Sequence, residues 1–178
     1  MRRVSVVGSS GSGKTTASRA IEDRLDLPRL ELDSVYHQRD WTPLADDEFK
    51  SVVEGFVSQE TWVVDGNYTS AGVLDIVWQR ADTIVWLDPP RAVVMWRIVS
   101  RTLSRGARST ELWNGNRESL RNVLRWDPEE NIIRWAWTRF DHTRSKYEMR
   151  MEDPAWSHIT FIRLRSRSDI REFLCELA

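Results

Sequence analysis

The chain is poor in lysine: of its 26 basic residues only Lys14, Lys50 and Lys146 are lysines, and the rest are arginines. Composition alone makes Lys14 conspicuous. There is a single cysteine, Cys175, so no internal disulfide can form; set in "IREFLCEL", it is expected to be buried in a final helix. The only histidines, His37, His142 and His158, are too far apart to suggest a zinc site. No apolar run approaches the roughly 20 residues of a membrane helix, and the apolar start "RVSVV" is too short for a signal-peptide core. The expectation is a cytoplasmic protein with no membrane partner. Excess charge is missing too: a formal net charge of −1 gives the whole molecule no electrostatic pull toward nucleic acid, so any such contact would have to be local.

What is present describes a globular protein. A length of 178 residues, 40% hydrophobic and 30% charged, suits one domain spanning 1–178 with a single core. Ten tryptophans stand out, and "RWAWTRF" and "LRWDPEE" put several on helix-like segments, where packing or stacking against arginine is expected.

Periodicity organises the rest. A β-branched run from Arg3 to Val7 ends in glycines, and "KTTASRAIEDRL" keeps Ala17, Ala20, Ile21 and Leu25 along one helical side. "PRLELDSVY" predicts a strand ending at Asp33. "LADDEFKSVVEGFVSQ" predicts a helix burying Phe49, Val52, Val53 and Phe56. "TWVVDGNY", "ADTIVWLD" and "ITFIRLRS" predict three more strands. A helical insertion spans roughly 89–147, its first helix expected to be capped by Asp88 ahead of Pro89-Pro90 and to keep Val93, Val94, Ile98 and Leu103 near one side. Strands alternating with helices imply a three-layer α/β domain, a five-stranded parallel sheet with a lid insertion after strand 4.

"GSSGSGKT", Gly8 to Thr15, fits the phosphate-binding pattern G-x-x-x-x-G-K-[ST] at every fixed position and lies between a predicted strand and a predicted helix. Glycines at 8, 11 and 13 let successive N–H groups of Gly8, Ser9, Ser10, Gly11, Ser12 and Gly13 turn toward an anion, and the helix opening at Lys14 adds its positive dipole end. Lys14 brings a compact ammonium to the β- and γ-phosphates of ATP, where a planar guanidinium is too bulky. Thr15 offers a hydroxyl to Mg²⁺, and Thr16 belongs to the same nucleotide-binding run.

The acceptor side is carried by acids at strand ends. Asp65 follows "WVV" where a carboxylate holding a magnesium-bound water would sit, although Asp-Gly also makes ordinary turns. Asp33 is placed to meet an acceptor group or, equally, to cap the next helix. Arg97, Arg101 and Arg105 recur every four residues, followed by Arg108, with no acid between them. Like charges so spaced repel by a few tenths of a kcal/mol per pair, so an anion is expected to relieve them. Arg97 and Arg101 are expected over the transferring phosphoryl group and Arg105 toward the acceptor; a solvated face or a DNA-docking patch are the alternatives. After the last strand, "FIRLRSRSD" brings Arg163, Arg165 and Arg167, with Arg165 expected near the nucleotide base.

In these motifs the chain resembles the adenylate-kinase-like P-loop nucleoside and nucleotide kinases, and most closely the small proteins labelled DNA topology modulation proteins. The resemblance runs through "GSSGSGKTT", "LELDSVY", "WVVDGNY", "TIVWLDPPR", "RIVSR" and "IRLRSRSDI", in that order. It implies a five-stranded parallel sheet with a helical lid, ATP and Mg²⁺ as cofactors, lid-arginine roles for Arg97 and Arg101, and the magnesium-associated acid at Asp65. It implies a phosphotransferase acting on a nucleoside, nucleotide or other small hydroxyl acceptor. One departure is specific: adenylate kinases follow Asp-Gly with a Pro-Arg pair that grips the acceptor nucleotide, whereas Gly66 is followed by Asn67, Tyr68 and Thr69. That leaves Asp33 as base and Tyr68 as wall or hydrogen-bond partner for a different acceptor. The rival readings are an ATP-switched protein docking DNA or a protein partner, and a simple ATPase.

Overall fold

The computed structural model describes residues 1–69, 72–108, 113–116 and 132–177, with the side chains at 103, 105–108 and 132–136 outside the description. Five strands, β1 (Arg3–Gly8), β2 (Arg29–Glu31), β3 (Trp62–Asp65), β4 (Thr83–Leu87) and β5 (Thr160–Leu164), form one sheet in the order β2-β3-β1-β4-β5. All pairs are parallel, and the register sets Val6 beside Asp65 and Gly8 beside Leu87. Crossovers between parallel strands need helices: α1 (Lys14–Leu25), the short α2 (Leu32–Tyr36), α3 (Asp46–Val57), α4 (Val73–Arg80), α5 (Arg91–Arg108) and α6 (Ile132–Glu152), with α7 (Arg167–Glu176) following the last strand.

Covering both faces leaves the central strands with no wet side. Val4, Val6 and Val7 of β1, Trp62 to Val64 of β3 and Ile84 to Leu87 of β4 are all buried, the near-continuous apolar runs of a parallel sheet. On one face Val7, Val64 and Ile84 pack with Phe49, Val53 and Trp78; on the other, Val4, Val6 and Val85 pack with Ala17, Ile21 and Phe173.

The structure corrects several sequence expectations. The second strand ends at Glu31, and Asp33 lies in the first turn of α2. In α3 the buried stripe is Phe49, Val53 and Val57, strictly every fourth residue, so Val52 faces solvent. Val93 is likewise exposed, while Val94 and Ile98 are buried. Helix α4 has no counterpart in the sequence reading: its eight residues are too few for a clear period. Cys175 is on α7 but exposed, because Phe173 is the residue that this helix turns inward.

Asp88 does not cap the helix that follows. Its Oδ2 accepts Arg163 Nη2 at 2.6 Å, Arg163 Nε at 2.9 Å and Arg144 Nη2 at 2.8 Å, and α5 starts three residues later, with the N–H groups of Val93 and Val94 both on the Pro90 carbonyl. The carboxylate therefore joins β4 to β5 and to the helix returning from the insertion. Of the tryptophans expected to pack or stack against arginine, Trp137 lies 4.9 Å from Arg91, while Trp126 and the Trp135 side chain lie outside the described residues; arginines also stack on two others, Arg163 4.1 Å from the Trp86 ring centroid and Arg150 5.0 Å from Trp78.

Candidate functional site

The turn from β1 into α1 needs glycine. Gly8, Gly11 and Gly13 all have positive φ, 146°, 76° and 105°. Space is as decisive as torsion at two of them: a Cβ at Gly8 would run into the Leu87 carbonyl oxygen, and one at Gly11 would come within 2.7 Å of Ile98 Cγ1. The loop folds on itself through Ser12 N–H to Ser9 O at 3.1 Å, and α1 opens at Gly13 with no side-chain cap. Its free N–H groups face a cleft of about 950 Å³ lined by Lys14, Thr15, Glu31, Asp33, Arg101 and Trp113, beyond the carboxyl ends of the strands.

Lys14 arches over the loop, its Nζ donating to Ser9 O at 3.2 Å. Burial pulls its ammonium below the ordinary lysine value, while the carboxylates of Asp65 and Asp33 act in the opposite sense. Asp65, at the end of β3 and 3% exposed, is pushed above the usual carboxylate range by burial, with the Lys14 charge opposing. The hydroxyls of Thr15 and Ser18 donate to it, Ser18 Oγ at 3.2 Å from Oδ2. A hydroxyl and a carboxylate side by side are hard oxygen donors of the kind magnesium takes. Among the described residues no group of three or more His, Cys, Asp or Glu could hold a metal, so any cation here would need further oxygens from phosphates and water.

The two lid-assigned arginines with described side chains turn into the loop. Arg97 Nη1 donates to Ser12 O at 2.6 Å and to Gly11 O at 3.4 Å, and Arg101 Nη2 reaches Ser10 Oγ at 3.4 Å. Burial lowers the Arg97 guanidinium from its ordinary value, with the Arg167 charge adding to this. The side chains of Arg105 and Arg108 lie outside the described residues. Arg97 also borders a second groove of about 560 Å³, walled by Pro90, Val93, Trp96, Arg165, Arg167 and Ile170. Arg165 is exposed there, its Nε only 3.9 Å from Asp88 Oδ2, whereas Arg163 is held close to the same carboxylate.

Asp33 accepts Tyr68 Oη at 2.7 Å, so the structure brings together the two residues that the sequence reading assigned to an acceptor. Four other residues at the site escaped the sequence reading. Glu31 lines the cleft and is held by Arg29, which bonds Glu22 at 2.6 Å and Glu31 at 3.4 Å. Asn67 clamps the loop's first residue: its Oδ1 accepts Gly8 N–H at 3.2 Å and its Nδ2 donates to Gly8 O. His37 Nε2 meets Tyr68 Oη at 3.2 Å. Trp113 reaches the site from the insertion. An acid between two leucines in "LEL" was a legible hint for Glu31; the others depend on contacts between distant segments.

No protein-family model and no curated protein matches the chain. Solved structures do. A gluconokinase from Sinorhizobium meliloti superposes with a TM-score of 0.55 at 18% identity, covering 99% of this chain and 89% of its own. A shikimate kinase from Acinetobacter baumannii, in complex with shikimate, gives a TM-score of 0.55 at 17% identity, covering 99% and 90%. At such identity the likeness shows the fold: a five-stranded parallel α/β sheet shared with P-loop kinases. Nothing in these comparisons supports the DNA topology modulation label. Among the described residues no helix is long and apolar enough to cross a membrane.

Proposed function

We propose that this chain is an ATP- and Mg²⁺-dependent small-molecule kinase of adenylate-kinase-like architecture, one cytoplasmic domain over 1–178 with 89–147 as its lid. The observation that carries the reading is that Lys14, on the glycine loop, lines one cleft with Asp33 and also feels the charge of Asp65, buried at the end of β3. A loop serving only to bind a nucleotide has no need of Asp33 opposite the lysine; a phosphotransferase needs a group there to take the proton of the attacking hydroxyl.

Lys14 and the N–H groups of Gly8 to Gly13 hold the β- and γ-phosphates, with Thr16 in the first turn of α1. Thr15 and Asp65 hold Mg²⁺, which when bound neutralises phosphate charge. Arg97 and Arg101 flank the transferring group and make little demand on reorganisation, since both already lie against the loop. Asp33 accepts the acceptor proton, with Tyr68 beside it; Arg105, whose side chain lies outside the described residues, is assigned to the acceptor on its spacing from Arg101 alone. The base occupies the groove of Val93, Trp96 and Ile170, with Arg165 at its rim.

The inward turn of Arg97 and Arg101 weighs against an arginine face that docks DNA, and the carboxylates weigh against a bare ATPase. The test is a transfer screen with labelled ATP and Mg²⁺ against nucleosides, nucleoside monophosphates, gluconate and shikimate, scored against hydrolysis alone. Transfer to one acceptor class well above hydrolysis is expected; no transfer to any, with slow hydrolysis, overturns the kinase reading.

A further inference from the structure

We infer that Tyr68 and His37 are positioning residues that hold the Asp33 carboxylate toward the acceptor, an inference that rests on the phosphotransfer reading of the cleft. The three groups form a chain: Tyr68 Oη lies 2.7 Å from Asp33 Oδ1 and 3.2 Å from His37 Nε2. A carboxylate can only accept, so the phenol hydrogen goes to Asp33 and the phenol oxygen is left as acceptor for a hydrogen on His37 Nε2. In the neutral ring that fixes Nδ1 as the lone-pair nitrogen, and Nδ1 is buried without a hydrogen-bond partner. The phenol stays a donor because burial and the Asp33 charge push it far above the ordinary tyrosine value.

The chain is enclosed as a unit. Tyr68 packs against Tyr36 and Phe49 with ring centroids 4.6 and 5.2 Å away, which fixes the direction of its hydroxyl. His37 sits on a short loop tied by Leu44 N–H to Tyr36 O at 2.8 Å and Gln38 N–H to Thr42 O at 2.8 Å. Across its open face comes Trp113, stacked at 6.1 Å and 24°. Two asparagines fasten that segment: Asn114 Nδ2 donates to His37 O at 2.6 Å, and Asn116 donates to Gln38 O at 2.8 Å and accepts Trp41 N–H at 2.9 Å. A histidine held this closely keeps the hydrogen bond of its ring, the one from Nε2 to Tyr68.

Held from one side by the phenol, Asp33 keeps its other oxygen for the cleft, where it can receive a hydroxyl proton. Loss of the phenol hydroxyl leaves the carboxylate free to rotate toward Lys14. His37 acts one step further back, through Tyr68.

The experiment uses the full chain and Tyr68→Phe, His37→Phe, Asp33→Asn and the Tyr68→Phe/His37→Phe double variant, the phenylalanines preserving ring packing. Mg²⁺-ATP turnover is measured with water as acceptor and with whichever acceptor the transfer screen returns. Y68F is expected to lower kcat about tenfold or more with the KM for ATP within about twofold, and the double variant to equal Y68F because both residues act through one carboxylate. Additive losses, or an unchanged kcat in Y68F, overturn the proposal. The ring nitrogen signals of His37, one of only three histidines, are read by NMR in parallel. D33N should move them when Tyr68 is present and leave them in place in the Y68F background; insensitivity to D33N with Tyr68 present also overturns it. Wild-type protein that neither transfers nor hydrolyses removes the kinase reading instead, and the ring signals still decide whether Tyr68 links His37 to Asp33.

Discussion

Asn67 pairs with Gly8 as a strand would, its amide oxygen taking the glycine N–H at 3.2 Å and its amide nitrogen giving to the glycine carbonyl. The residue after Asp65-Gly66 thus extends the β1–β3 ladder by one side-chain rung and fixes where the glycine loop leaves the sheet.

Asn67→Ala should remove the side-chain partner of both Gly8 backbone groups at a buried residue, at a cost of about 1–3 kcal/mol. For a chain of this size that corresponds to a melting temperature lower by roughly 2–4 °C per kcal/mol. ATP affinity should fall together with stability, whereas Asn67→Asp, which keeps only the acceptor, should fall between the two. Wild-type ATP affinity in the alanine variant, by calorimetry, would detach the clamp from the loop.

Lys14→Ala removes charge-assisted hydrogen bonds worth about 1.5–3 kcal/mol each, so ATP affinity should drop roughly tenfold to a hundredfold or more. Lys14→Arg should not restore it, because the buried path of Lys14 over Ser9 O suits a narrow ammonium. ATP titrations within a few-fold of wild type for either variant would count against the assignment.

Arg101→Ala is expected to lower kcat far more than it weakens ATP binding, since the phosphates are already held by the loop and Lys14. Parallel measurement of kcat and of the dissociation constant for ATP separates the two effects. An unchanged turnover number would take Arg101 out of the reaction.

Asp65 is held above the usual carboxylate range by burial. An acid whose folded-state value is raised binds protons more tightly folded than unfolded, so its contribution to stability falls as pH rises from about 3.9 through the raised value. The melting-temperature difference, wild type minus Asp65→Asn, should therefore decline between pH 4 and the raised value; a difference that grows with pH contradicts the assignment. Mg²⁺-dependent turnover should be lost in the variant throughout.

Asp88→Asn breaks a buried charge cluster on which Arg163 and Arg144 converge. Removing one partner of such a cluster costs about 3–5 kcal/mol when the others stay buried; the Arg163 and Arg144 side chains are 19% and 36% exposed, so the lower end or less applies here. Thermal unfolding should show the loss while ATP affinity in the folded protein stays close to wild type.

How much of this was legible in the sequence depends on distance along the chain. The turn from Gly8 to Thr15 could be read directly because a glycine loop is a local object, its geometry set by spacing within eight residues. The five strands were legible for the same reason, their apolar runs bounded by turn residues, and Asp65 followed from the end of one of them. Asp33 moved into α2 because β2 pairs with β3 only through Glu31. The clamp of Asn67 requires knowing that β3 lies beside β1, and the enclosure of His37 requires Asn114, 77 residues away. Asp88 looked like a cap because caps are judged from the following residues, while its actual partners, Arg144 and Arg163, arrive much later in the chain.

The strand order has a consequence for how the chain is made. The glycine loop precedes β2 to β5 along the chain, yet its strand is completed by β3 on one side and β4 on the other, with Gly8 set against Asn67 and Leu87. Contacts across 59 and 79 positions carry a loop-closure cost that local helices do not. The loop is thus written before the strands that fix it: a nascent chain can complete its geometry only after β4 has emerged, and under the proposed function a bound nucleotide would be a ligand that favours the completed sheet.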